Sequence, residues 1–343
     1  MIQISHSQIL FGGDTLLQTR MADQDPFAEI RPIFQNAAIC LNLETSLRSD
    51  WQKRNKIVLS IDKSALKWLS SDIQLITIVN NHAADSGDPR SLAEALTETG
   101  KMVVGPSNPS VGSAAIGGRD VDFFACYFAL PRLRLSYNGK QADALIRLLR
   151  ASRASRKIVN LHWGYEYTDI PAPFQRQLSH RLIDEGADLI IGHHPHVPQG
   201  FETYHGVRVY YSLGNFNFYR DERIPHDTDE WGYMVLYDVE SNSSHAIPYL
   251  INNNYQPYAI NDQHRRDYEM RLGQLSDSAI STDVRTWFLA QYKNWYLQEF
   301  RAWWEEWCEH KGSKILLSFL IWLLLPMQCR FYWLSLKRGW RIW

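Results

Sequence analysis

The feature that most restricts this chain is a short apolar run, Ala187-Asp188-Leu189-Ile190-Ile191, that stops at Gly192-His193-His194-Pro195-His196. A run of that length and composition reads as a buried strand. Three histidines within four positions at its end place imidazoles at the carboxyl edge of a sheet, where open α/β sheets collect their ligands. Imidazole is the commonest metal-binding side chain, so the cluster is a candidate metal site on its chemistry alone.

The same pattern recurs upstream. Strand-like runs at residues 7–11, 37–42, 75–79 and 157–161 end at Asp14, at Glu44, at Asn81 and His82, and at His162. Between them, apolar residues at helical spacing predict helices over 62–70, 89–99, 140–150 and 173–184, with Gly100 closing the second. Residues 114–116 and 121–128 read as a hairpin turning at Gly117-Gly118-Arg119-Asp120. Further strands are expected at 101–104, 189–191, 207–211 and 233–239. This alternation predicts an α/β fold, with a mostly parallel sheet first and antiparallel strands later. Side chains from distant parts of the sequence then converge on one crevice.

With 343 residues, 45% hydrophobic and 21% charged, the chain can bury a sizeable core. A formal charge of −1 excludes a global polyelectrolyte partner, and no nucleic acid is expected. Cys40, Cys126, Cys308 and Cys329 form no Cys-x-x-Cys pair, which excludes a thiolate zinc site and a disulfide framework. The first ten residues lack a basic stretch followed by an apolar core, so a cytoplasmic location is expected.

The last part changes character. Nine of the 13 tryptophans lie between Trp287 and Trp343, and residues 311–343 carry six basic side chains and no acidic one. We expect a main domain over 1–260, a helical extension over 261–310 that includes an aromatic helix at 288–310, and a basic aromatic tail over 311–343. The apolar stretch 315–327 is short for a membrane span, which needs roughly 20 residues. Aromatic and basic residues together suit a lipid–water interface or a protein contact.

A two-metal hydrolytic site needs a bridging carboxylate, imidazoles and mixed oxygen and nitrogen donors. Two carboxylates (Asp14, Glu44), one carboxamide (Asn81) and several histidines supply these. With no cysteine among them, one or two divalent ions of Mn, Fe or Zn are expected.

Six motifs occur in order: Gly13-Asp14; Asn42-Leu43-Glu44-Thr45-Ser46-Leu47; Asn80-Asn81-His82-Ala83-Ala84-Asp85-Ser86-Gly87; His162-Trp163-Gly164-Tyr165-Glu166-Tyr167; Gly192-His193-His194-Pro195-His196-Val197; and Tyr211-Ser212-Leu213-Gly214-Asn215-Phe216. In these the chain resembles the CapA family, capsule and poly-γ-glutamate biosynthesis proteins within the calcineurin-like metallophosphoesterase superfamily, over about residues 5–250. The resemblance implies a four-layer α-β-β-α sandwich, here followed by the helical, aromatic-rich tail. It implies that Asp14 and His196 bind a first metal and that Glu44 bridges two. Asn81, His162 and His194 then bind the second, and His82 is general acid or transition-state stabiliser. The superfamily histidine two residues after the aspartate is replaced here by Leu16, leaving the first metal with Asp14, Glu44 and His196.

The function implied is capsule or exopolymer synthesis with a metal-dependent hydrolase site, acting on an anionic polymer or a phosphorylated substrate. The tail would hold the protein at the inner face of the membrane or against polymer synthase or exporter subunits. Two alternatives stand beside it: a non-catalytic metal-binding assembly factor for such a synthase, and a general metallophosphoesterase. Asp85 is expected to support the loop after His82, Asn215 to be structural, and His193 to be a spacer or to support a ligand. His205, His226 and His245 are expected in solvated loops, and Cys126 in the core.

Overall fold

In the computed structural model the described residues are 2–17, 24–34, 36–51, 58–128, 138–218 and 230–290. Residues Met1–Val284 form one compact unit and Arg285–Trp343 another. The expected aromatic helix from residue 291 onward and the whole tail over 311–343 lie outside the described residues. Among the described residues, no helix is long and apolar enough to cross a membrane.

In chain order the strands are β1 Ile2–Ile4, β2 Gln8–Thr15, β3 Ala37–Leu43, β4 Ser46–Leu47, β5 Ser60–Ile61, β6 Ile73–Thr77, β7 Met102–Val104, β8 Ser110–Ile116 and β9 Arg119–Tyr127. They continue with β10 Arg156–His162, β11 Leu189–His193, β12 Pro198–Tyr204, β13 Val207–Leu213, β14 Asn215–Asn217, β15 Trp231–Asp238, β16 Ser243–Ile251 and β17 Pro257–Ala259. The helices are α1 Pro89–Glu98, α2 Gly139–Ala151, α3 Pro173–Asp184 and α4 Asp262–Ser281.

One sheet runs β1-β8-β9-β10-β11-β13-β12 and the other β17-β16-β15-β2-β3-β6-β7, with β14 paired to β2. Each has a parallel heart. In the first it is β9, β10, β11 and β13; in the second it is β2, β3, β6 and β7. Antiparallel strands extend both, through β8 and β12 in the first sheet and β15 to β17 in the second.

The burial pattern follows from strands that are apolar on both faces. Ile9, Phe11, Cys40 and Leu75 of one sheet pack on Phe123, Ala125, Ile158 and Ile191 of the other. The outer face of the first sheet, with Cys126, Val159, Leu161 and Ile190, is covered by α2 and α3 through Leu145, Leu149, Leu178 and Leu182. The outer face of the second, with Leu10, Ile39, Leu41 and Ile76, is covered by Leu92 and Leu96 of α1 and by Phe27 and Phe34. The result is the expected four-layer sandwich.

Several local expectations change. Residues 62–70 form a short 3-10 helix, Lys63–Trp68, rather than an α-helix. The hairpin turn tightens to Gly117-Gly118, because Ile116 already pairs with Arg119 and both glycines take positive φ, at 54° and 78°, as a two-residue turn requires. β12 and β16 were not foreseen as elements, and α4 lies within the stretch 261–310 where a helical extension was expected, its bounds not foreseen. β12 begins with a proline at the sheet edge, and α4 covers it: Gly200 lies so close to the α4 backbone that a Cβ there would sit 2.4 Å from Ser276 Cα. The Ser276 hydroxyl accepts a hydrogen bond from the Phe201 N–H at 3.0 Å, so the edge donor is covered as well.

Candidate metal centre

The carboxyl ends of β2, β3 and β6 meet those of β10 and β11. Two glycines allow the approach. A Cβ on Gly13 would lie 2.0 Å from the Gly214 carbonyl oxygen. One on Gly192 would lie 2.0 Å from the Tyr211 carbonyl oxygen and 2.6 Å from the Trp163 indole nitrogen. Beyond Gly192, His194 and His196 take positive φ, at 99° and 60°, a strain that backbone tolerates mainly at functional sites.

Asp14 and Glu44 are both fully buried. Asp14 Oδ1 accepts from Asn42 Nδ2 at 2.8 Å and Oδ2 from the His194 N–H at 3.0 Å. His193 Nδ1 stands 3.2 Å from Oδ1. The two oxygens of Glu44 accept no hydrogen bond among the described residues. Instead Oε1 faces three imidazoles, with His162 Nε2 at 3.4 Å and the Nε2 atoms of His82 and His196 at 3.8 Å each. A buried carboxylate without donors is costly, and a cation among these donors satisfies it.

The donor atoms fall into two groups, each within 4.8 Å internally: Glu44 with His162 and His194, and Asp14 with Glu44 and His196. Glu44 belongs to both. Asn81 Oδ1 lies 2.6 Å from His162 Nε2, which places it with the former group. The His162 and His194 rings are 4.7 Å apart. His82 lies beside both groups, its Nδ1 held 2.5 Å from Asp85 Oδ2. Asp85 also accepts the Leu59 N–H at 3.1 Å, so it orients His82 and ties down the loop. All seven residues singled out in the sequence therefore converge. Asp14 and His162 lie within their strands rather than past them.

Electrostatics follow from burial and mutual contact. Burial pushes Glu44 up to about 7, with Asp14 and Glu166 adding to the rise and His196 and His82 opposing it. For Asp14 burial acts upward too, but His193, His196 and His162 outweigh it and hold the carboxyl below its ordinary range. Burial lowers His194 to about 3 and takes His162 well below its usual value, so both present unprotonated nitrogen. His196 is raised, because Glu44 and Asp14 prevail over its burial.

Other residues join the site. Asn42 bridges Asp14 and His162, its Nδ2 lying 3.4 Å from His162 Nδ1. His196 Nδ1 meets Asn215 Oδ1 at 2.9 Å. Tyr127 stands edge-on to His162 at 5.6 Å, and Phe218 packs on His196 at 4.7 Å. Asn42 was legible only as the first residue of the motif that contains Glu44. Leu16 is fully buried in the outer apolar cluster with Leu10, Leu43 and Phe216, so the position of the superfamily histidine contributes packing. His205 is exposed in a turn, as expected; His245 is exposed but lies in β16, paired with Leu236, rather than in a loop, and His226 lies outside the described residues.

Over 82 residues the chain is 43% identical to the capsule biosynthesis protein CapA of Bacillus anthracis, a match covering 22% of this chain and 20% of that protein. Over 219 residues it is 31% identical to the PGA biosynthesis protein CapA of Bacillus subtilis (strain 168), covering 56% of each. The chain thus spans about half or less of these relatives. The crystal structure of a hypothetical protein from Thermus thermophilus covers 71% of this chain and 98% of its own, at 16% identity and a TM-score of 0.49. Residues 8–220, which carry every donor described above, match the bacterial capsule synthesis protein family PGA_cap, and the chain belongs to that family.

Proposed function

We propose that this chain is a metal-dependent hydrolase of capsule or exopolymer synthesis, acting on an anionic polymer of the poly-γ-glutamate type or on a phosphorylated intermediate of its assembly. The observation that carries the reading is Glu44: fully buried, accepting no hydrogen bond among the described residues, and shared by two groups of donors. Asp14, Glu44 and His196 would hold one divalent ion, and Glu44, Asn81, His162 and His194 a second. Bound there, Mn, Fe or Zn ions supply Lewis acidity and activate water at neutral pH. His162 and His194 donate because burial keeps them unprotonated.

His82 does the proton work. Its Nδ1 is fixed by Asp85, and its Nε2 faces the Glu44 side of the cluster. That nitrogen delivers a proton to the leaving group or steadies charge in the transition state. Family membership and the names of the two relatives support the capsule context. The basic aromatic segment 311–343 would bring the chain to the inner face of the membrane or to synthase and exporter subunits.

Replacing His82 with alanine tests the enzyme reading. We expect turnover on γ-glutamyl polymer or phosphoester substrates to fall roughly 10²- to 10⁴-fold, with bound metal unchanged by elemental analysis. Capsule output that is indifferent to His82→Ala while depending on the metal ligands supports the assembly-factor reading instead.

A further inference from the structure

Asn215 touches a histidine of the centre and lies in a motif that the hydrolase reading leaves without a task. It opens β14, opposite Asp14 in the β2 ladder. Its backbone is pinned on both sides: the Tyr249 hydroxyl donates to its carbonyl at 2.5 Å, and the preceding Gly214 carbonyl accepts the Asp14 N–H at 3.0 Å. The residue is 2% exposed. Nδ2 donates to Glu230 Oε1 at 2.9 Å, while Oδ1 meets His196 Nδ1 at 2.9 Å.

The direction of this chain is not free. A carboxylate only accepts, so Glu230 must receive the amide N–H, and the amide oxygen must then face the imidazole. An amide oxygen facing Nδ1 places the imidazole proton on Nδ1 and leaves Nε2 with its lone pair. Nε2 is the nitrogen turned toward Glu44. A group that fixes the tautomer of a ligating histidine also fixes its ring and raises its basicity.

The pocket that gains this support is the poorer in donors. It has Asp14, Glu44 and His196. The other pocket has Asn81 beside Glu44, His162 and His194. We propose that Asn215, oriented by Glu230, is a positioning residue for His196 that sets the affinity of the first ion and leaves the second unaffected. This inference rests on the two-ion reading above.

The test is Mn²⁺ binding to the full chain, by equilibrium titration and by the paramagnetic signature of a coupled ion pair. Asn215→Ala should weaken the first ion roughly 10- to 100-fold and retain the second, which also reports that the protein is folded. Glu230→Ala should weaken the same ion less. In a His196→Ala background, Asn215→Ala should add nothing. The double variant Asn215→Asp/Glu230→Gln keeps an acceptor facing His196 and a donor facing position 215, and should restore the coupled pair.

Two ions in the wild type with unchanged first-ion affinity in Asn215→Ala overturn the positioning role alone. So does equal weakening of both ions, or a double variant that restores nothing. Fewer than two ions in the wild type overturns the two-ion reading and this inference with it.

Discussion

The two halves of the metal centre share Glu44 and otherwise differ in construction. The half containing Asp14 and His196 has few donors, each firmly held: Asp14 by Asn42 and the His194 N–H, His196 by Asn215. The half containing His162 and His194 has Asn81 in addition, but its imidazoles are less braced. His162 Nδ1 is 3.4 Å from the Asn42 amide, and His194 Nδ1 has no hydrogen-bond partner among the described residues. One pocket relies on orientation and the other on donor number. Their charge states differ in the same sense. His196 faces both carboxylates and is raised, whereas burial keeps His162 and His194 neutral.

The largest effect should come from the residue common to both. Glu44→Ala should abolish binding of both ions and take hydrolysis to background, read by elemental analysis beside turnover. Retention of one ion at full affinity would show that the halves do not depend on a shared carboxylate.

Next in size is the stability of chelator-stripped protein. Glu44 is raised from 4.5 to about 7 in the folded state, so the fold holds a proton that the unfolded chain releases. Stability is therefore full below pH 4.5, falls as pH rises toward 7, and is flat above. The loss is about 3 kcal/mol. Glu44→Gln should remove that part of the slope, and added divalent ion should reverse it. Denaturant midpoints at pH 5 and pH 8 measure both. The same slope in wild type and Glu44→Gln would mean that the buried carboxyl carries no such cost.

The smallest effect separates the pockets by proton competition. His196 must be unprotonated to bind an ion, and its pKa is raised, whereas His194 stays neutral down to about 3. Acidification from pH 8 to pH 6 should therefore release the first ion before the second. First-ion affinity should fall roughly tenfold per unit once His196 protonates. Release of both ions together would erase the distinction.

Much of this was legible in the sequence, for a specific reason. The parallel strands are apolar on both faces and stop at polar residues, so Asp14, Glu44, His162 and His194 mark strand ends without reference to any fold. α1 and α3 were legible because each begins with a proline in its first turn and carries apolar residues at helical spacing. β12 was not. The sequence Pro198–Tyr204 is mixed and starts with proline, and it becomes a strand because β13 pairs with it and α4 covers it. Leu16 could be recognised as the wrong residue for a ligand, but only packing places it in an apolar cluster.

By itself the sequence determined which chemistry is available: oxygen and nitrogen donors, no thiolate, each following an apolar run. Tertiary structure decided the grouping. Asp14 and the His194 N–H are 180 positions apart and hydrogen-bonded, and the pairing of Glu44 with imidazoles from the opposite sheet exists only after the sheets pack. The sharing of Glu44, the order of proton affinities and the Glu230–Asn215–His196 chain all depend on distances of about 3–4 Å, the range of direct polar contact, which no local pattern encodes. They arise because two sheets buried face to face leave their polar strand ends one common place to meet.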